Sequence, residues 1–303
     1  MNQFSIQQLQ QFSGIKAHTI RMWEQRYKAL KPYRTEGNTR YYDNTQLKRL
    51  LNITSLMHTN KKVSELCIMS DDSLASLIKA ELEVVAKTFS YDQYISQVIS
   101  ALLDYDETKT NSILSKCIKR FGIKKTYKEV IYPMYVKIGL MWLSNDVMLS
   151  QEHFISNIMR KKLFSWIENL PKTESNASQW VLFLPEDEFH EVGLLMANYL
   201  LQEMKQKVIY LGANVPIKEV VNTVNVSDSS HVLFFLVHHD KVESTQKLVD
   251  ELYLALPDTN ISIAGNTQLI GLIKLYTNMA WIQSVDELEQ LIINNTSKIL
   301  ENV

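Results

Sequence analysis

Apolar and polar positions change their spacing twice along the chain. Up to about residue 72 the apolar residues fall in short helical clusters. Ser5 is placed to cap a helix, Gln8 three residues on completes a capping box, and Ile6 and Leu9 open the apolar face. Ser13-Gly14 ends that helix, and a second is predicted from about Lys16 to Tyr27, with Ile20 and Trp23 inward. Two helices about a short Gly-containing turn form a helix-turn-helix. Pro32 stops the second helix, and Tyr33–Tyr42 folds about Glu36-Gly37-Asn38 into two short extended pieces, a β-wing.

From about Ser73 to Asn169 the period is helical throughout. It predicts helices over Leu74–Phe89, Tyr91–Leu103, Glu107–Phe121, Tyr127–Trp142 and Ser150–Ile167, which together bury their apolar stripes as a bundle. Leu170-Pro171 and the polar residues to Asn176 break the pattern. Short β-rich runs then alternate with helical stretches: Trp180–Leu184, Val208–Leu211, Val232–Val237, Ile261–Ala264 and Ala280–Ile282. That alternation specifies a doubly wound, flavodoxin- or Rossmann-like α/β domain with a parallel sheet, whose ligands lie beyond the carboxyl ends of the strands. Pro185–His190 and Gly212–Pro216 fall there. The expected organisation is multidomain: an all-α winged helix-turn-helix with a β-wing over 1–72, a helical bundle over 73–170, and the α/β domain over 178–303.

Composition adds exclusions. At 46% hydrophobic and 21% charged residues, the 303-residue chain can bury several cores. No apolar run approaches membrane-spanning length, and the start has no basic segment followed by an apolar one, so a cytoplasmic protein off the membrane is expected. Cys67 and Cys117 lie far apart without metal-ligand spacing, which argues against a disulfide framework or structural zinc. No phosphate-binding loop or nucleophile elbow is present, so the reading is not an enzyme. His238-His239-Asp240 is not a metal site either, since neighbouring residues of an extended piece point opposite ways.

Charge is more telling. The net charge is −1, yet residues 1–62 hold eleven Lys and Arg against three acids, Glu24, Glu36 and Asp43. A basic head on an acidic body is what a polyanion-binding segment requires.

In the head, Arg21-Met22-Trp23-Glu24-Gln25-Arg26-Tyr27, Pro32, Arg34 and Gly37-Asn38-Thr39-Arg40-Tyr41-Tyr42 resemble the MerR-family pattern R-x-W/Y-E-R-R, P-x-R, G-x-R-x-Y. The resemblance implies a transcription regulator that binds a double-stranded DNA operator as a homo-oligomer, dimer or tetramer, reaching RNA polymerase at most indirectly. Lys16, His18 and Arg21 at the start of the second helix are the candidate base readers; Arg34, Arg40 and Tyr41 are candidates for wing contacts to the backbone. Trp23 and Ile20 read as core, Glu24 as the partner of a nearby base, and Arg26 either holds the wing or touches DNA.

The remainder is similar to the cobalamin-binding, CarH/LitR-like subgroup of that family. Glu188-Phe189-His190-Glu191-Val192-Gly193 resembles its D/E-x-H-x-x-G element, in which the His is the lower cobalt ligand, so the resemblance makes His190 the cobalt ligand. Glu188 would hold the second ring nitrogen, and Gly193 would let its helix approach the corrin. Trp142 followed by Glu152-His153 matches the spacing that caps the upper face of adenosylcobalamin. Trp142 would pack on the adenosyl side, Glu152 bind its hydroxyls, and His153 take the cobalt after photolysis. Bundle and α/β domain would then clamp the corrin, in a repressor that senses adenosylcobalamin and serves as a light receptor.

Two positions depart from that subgroup. It has a small hydroxyl at the end of the third α/β strand and paired glycines after the fourth, both lining the channel for the displaced nucleotide tail. Here Phe234-Phe235-Leu236-Val237-His238 has no Ser, and Ala264-Gly265-Asn266 has one Gly. A lost hydroxyl costs roughly 0.5–1.5 kcal/mol of binding, and a bulkier wall closes the channel. The alternatives are therefore a MerR-type regulator that has lost cobalamin and answers to another ligand or partner protein, and a cobalamin-dependent methyltransferase subunit, which the basic head argues against.

Overall fold

The computed structural model describes residues 4–35, 38–57, 61–84, 91–143, 147–171, 177–237 and 242–301, with the side chains of residues 11, 79–84, 140, 142–143 and 296–301 left aside. Contacts gather the chain into two compact units, Met1–Ile158 and Met159–Val303.

In the first unit α1 (Ile6–Ser13) carries the Ser5–Gln8 capping box and ends on Gly14, whose φ of 75° is left-handed backbone that glycine adopts without strain. After α2 (Ala17–Tyr27), β1 (Tyr33–Arg34) and β2 (Arg40–Tyr41) pair antiparallel as the wing. Phe4 bridges to Tyr42, and both are fully buried, which ties the wing's return strand to the start of the chain. The helices α3 (Asn44–Ser55) and α4 (Val63–Ile68) are additions to the pattern expected for the head. Arg49 on α3 holds that region together, donating to the carbonyls of Ala29, Cys67 and Met69 and pairing with Asp71.

The next helices are α5 (Asp71–Val84), α6 (Tyr91–Leu103) and α7 (Glu107–Phe121). The second and third have the predicted bounds; the first begins earlier than Leu74, and residues 85–89 of its predicted span lie outside the described residues. The predicted helix Tyr127–Trp142 is instead compound. A short α8 (Ile123–Thr126) passes through a π-helical turn, Tyr127–Ile131, into α9 (Tyr132–Leu143). Here Tyr127, Val130 and Ile131 are all buried, and the wider turn carries an extra residue past α6 without exposing them. The last helix, α10 (Leu149–Glu168), spans the division between the two units.

α6 is the central helix, buried from Gln93 to Leu103, and its polar residues are spent on α3. The Gln97 amide donates to Ser55 Oγ at 2.6 Å and Ser100 Oγ to Asn52 Oδ1 at 3.5 Å. The DNA-binding-type head and the helical region therefore share one packed interface.

The second unit has five parallel strands: β3 (Gln179–Pro185), β4 (Lys207–Val215), β5 (His231–Leu236), β6 (Asn260–Gly265) and β7 (Met279–Ile282). The order β4-β3-β5-β6-β7 is doubly wound, with its switch point between β3 and β5. The helices between and after them are α11 (Glu191–Glu203), α12 (Ile217–Ser227), α13 (Val242–Ala255), α14 (Thr267–Ile270) and α15 (Val285–Glu301). Val181, Phe183, Val232, Phe234, Leu236, Ile261 and Ile263 form the core on one sheet face with residues of α12 and α13.

Candidate functional site

In the head, helical spacing turns Ile20, Trp23 and Glu24 inward and leaves His18 and Arg21 exposed on one outer face, with Lys16 exposed at the N-cap. Met22 and Gln25 share that exposed face, as their spacing of four and seven from His18 requires. Arg34 is exposed on the wing and donates from Nη1 to Asn38 Oδ1 at 2.5 Å, while Tyr41 stacks on Tyr33 at 5.4 Å. Arg40 also works inside the fold: its Nε lies 3.6 Å from buried Glu24, which accepts a hydrogen bond from Tyr42 as well. Burial and Glu24 hold the Tyr42 phenol well above its usual range, so it stays a donor. The anchor expected of Arg26 thus belongs to Arg40, and Arg26 is exposed.

On α10, Glu152 and His153 are neighbours that face differently. Glu152 is half-buried and accepts from Ser156 Oγ at 2.6 Å; His153 is 65% exposed, with Nδ1 3.6 Å from the Glu152 carboxylate. Tyr135 reaches Ser156 at 3.3 Å, and burial raises its phenol. Trp142 falls on α9, and its side chain lies outside the described residues.

The most tightly built arrangement stands at the switch point of the sheet. Glu188, fully buried, accepts three hydrogen bonds at Oε1: from the backbone N–H groups of Phe189 and His190, each at 3.1 Å, and from His190 Nδ1 at 2.5 Å. Its Oε2 accepts from Val237 N–H at 2.8 Å, beyond the end of β5. A carboxylate there fixes the imidazole with its proton on Nδ1, which makes Nε2 the nitrogen suited to bind a metal. His190 remains about half exposed and Phe189 is 63% exposed beside it. The carboxyl end of β4 braces this turn, since the strand runs on to Val215 through most of the Gly212–Pro216 stretch expected beyond it: Asn214 N–H donates to the Glu188 carbonyl at 3.2 Å, and Asp187 N–H to Asn214 Oδ1 at 3.0 Å. Asp187 and Asn214 both hold positive φ, 64° and 58°. Such local strain persists where the surroundings over-determine it.

Glu191, the next carboxylate, is structural. It pairs with Arg160 at 2.8 Å and accepts from Tyr210 at 3.1 Å. Gly193 gives close approach, but to a residue of the protein: a Cβ there would meet Phe235 Cε1 at 2.8 Å. Glu188 and His190 are therefore in direct contact, Gly193 follows in the first turn of α11, and Glu152 adjoins His153 in the other unit; His238-His239-Asp240 lies outside the described residues.

A winged helix-turn-helix joined to a helical region, with a parallel α/β sheet bearing a carboxylate-held histidine at its switch point, is the build of a DNA-binding regulator with a corrinoid-type sensor. Comparison with known proteins agrees. Residues 4–67 match the MerR HTH family regulatory protein model, and residues 94–164, which cover α6 to most of α10, match the B12 binding domain model. The HTH-type transcriptional repressor CarH of Myxococcus xanthus is 26% identical over 253 residues, 82% of this chain and 83% of that one. The monomethylamine corrinoid protein of Methanosarcina barkeri shares the fold, at a TM-score of 0.55 and 13% identity, over 68% of this chain and all of that one. The chain thus combines a segment similar to MerR HTH regulatory proteins with one similar to B12 binding domains, the make-up of a cobalamin-sensing transcription regulator.

Proposed function

We propose that this protein is a repressor that binds operator DNA as a homo-oligomer and changes that binding when it takes up an adenosyl corrinoid, in a cytoplasmic setting and without catalysing a reaction. The observation that carries the reading is the Glu188–His190 pair, 2.5 Å apart at the sheet's switch point. One imidazole whose Nδ1 is held by a buried carboxylate is the kind of donor that would hold a corrinoid cobalt. Trp142, Glu152 and His153 are assigned to the adenosyl side, on the strength of their match to the light-sensing pattern. When bound, the adenosyl corrinoid supplies a light-labile cobalt–carbon bond. His153, exposed on α10, would supply a second imidazole to the cobalt, and Glu152, ordered by Ser156, would bind the adenosyl hydroxyls.

The test is the absorbance of the full chain at saturating adenosylcobalamin in darkness, before and after green light, alongside operator binding. His190→Ala should lose the His-ligated spectrum. His153→Ala should retain the dark spectrum and fail to trap the photolysed cobalt. A wild-type protein with no His190-dependent spectral change under any corrinoid would overturn the reading. A second reading, a regulator whose sensor no longer takes cobalamin, is favoured by one observation, the Phe235 ring against Gly193.

A further inference from the structure

Along β5, Val232, Phe234 and Leu236 pack into the core on one face of the sheet. Strand alternation turns Leu233 and Phe235 to the other face, toward α11. There the Phe235 ring occupies the space that Gly193 leaves. A Cβ on Gly193 would lie 2.8 Å from Cε1 and 3.0 Å from Cδ1 of that ring, closer than real side-chain atoms approach. One register step further, Gly265 is spoken for as well. Its φ is 124°, and a Cβ there would lie 2.1 Å from the Leu236 carbonyl oxygen. Both glycines therefore serve contacts within the protein, one to a ring and one to backbone, and neither is left facing a ligand.

Phe235 stands near the turn that presents His190, and two residues on, just past the end of β5, the Val237 N–H holds Glu188. A group entering the sheet face below His190 has to displace the ring from Gly193. A corrinoid held only at its cobalt, by Nε2 of the exposed His190, does not. From this we infer that Phe235 is a specificity-determining residue that closes the tail side of the site, so that the chain prefers corrinoids without a nucleotide tail, the cobinamide class, over tailed cobalamin. The inference rests on the corrinoid reading of His190 and narrows its ligand. A tail-free corrinoid also brings no base of its own to compete with His190 for the lower cobalt face.

The experiment titrates the full chain in darkness with adenosylcobinamide and, separately, with adenosylcobalamin, following the spectral change that His190→Ala abolishes. The wild type should bind the tail-free form at least tenfold more tightly. Phe235→Ser and Phe235→Ala should each narrow that ratio at least fivefold by gaining affinity for the tailed form, with thermal melts showing which variant folds. If wild type binds both forms equally or the tailed form more tightly, or if neither folded variant changes the ratio, the plug is wrong while the corrinoid site stands. If neither corrinoid gives a His190-dependent change in any of the three proteins, the corrinoid site and the plug fail together.

Discussion

His231 opens β5 as a buried base whose neutral form is built into the fold. Its ring stacks on Trp180 at 4.3 Å, Nδ1 meets Ser230 Oγ at 2.8 Å, and the Asn295 amide donates to Nε2 at 2.9 Å. Burial lowers its pKa from 6.5 to about 4. Between those values the unfolded chain binds a proton that the native chain refuses, so stability falls as pH drops through that window, by about 1.4 kcal/mol per pH unit, and levels off below it. Denaturant titrations from pH 7 to pH 4 should show this slope flattened by one proton in His231→Asn; an unchanged slope means the ring titrates in the native state. Gly193 offers a second test. Gly193→Ala should cost about 1–3 kcal/mol through overpacking against Phe235, and most of that cost should vanish in a Phe235→Ala background. A penalty that persists there would place its origin elsewhere. The sequence pattern could assign Glu188 to His190, because two positions along one turn suffice for that contact. It could not pair Phe235 with Gly193, residues forty-two positions apart whose meeting depends on how α11 lies across β5.

At the scale of elements, legibility followed the local signals. α7 has its predicted bounds because Asp106 caps its start, accepting from Lys109 N–H, and Gly122 ends it at a φ of 78°. All five parallel strands were visible as apolar β-rich runs between helical stretches. The π-helical turn was not, since Tyr127, Val130 and Ile131 keep ordinary helical spacing in sequence and only their burial against α6 selects the wider turn. Gly265 shows the same limit from the other side. Its position suggests one surviving half of a ligand-facing glycine pair, whereas the structure gives it a backbone reason: the end of the parallel β5–β6 pairing brings the Leu236 carbonyl to where a Cβ would stand, and that carbonyl accepts from Asn266 N–H at 2.7 Å. Gly265→Ala should therefore destabilise the α/β unit by several kcal/mol even without ligand, combining a positive-φ penalty with a backbone clash. A melt within one degree of wild type would show that this strand end relaxes freely.

For the whole molecule, the basic head and its packing on α6 bear on the same measurement. Lys16, His18, Arg21 and Arg34 are exposed on the α2 and wing surfaces, whereas Lys48 and Arg49 pair internally with Asp104 and Asp71. The eleven basic residues of 1–62 are therefore not equivalent, and only part of the local excess is free to meet phosphates. Because Ser55 and Asn52 on α3 are satisfied by Gln97 and Ser100 on α6, the full chain is the proper object for the test. Operator affinity of the full chain should fall steeply with salt, and on a log–log plot each phosphate contact removed should reduce the slope by about 0.9. Arg34→Ala should lower affinity for all sequences alike and flatten the slope by about that amount. Arg21→Ala should instead cost roughly 1–3 kcal/mol of discrimination at one base pair, the loss expected for a guanidinium that reads a base edge in the major groove. Arg40→Ala differs from both: with Glu24 left buried beside Tyr42, it should lower the melting temperature as well as the affinity. Equal salt slopes for wild type and Arg34→Ala, with no change in base preference for Arg21→Ala, would remove these side chains from the DNA surface.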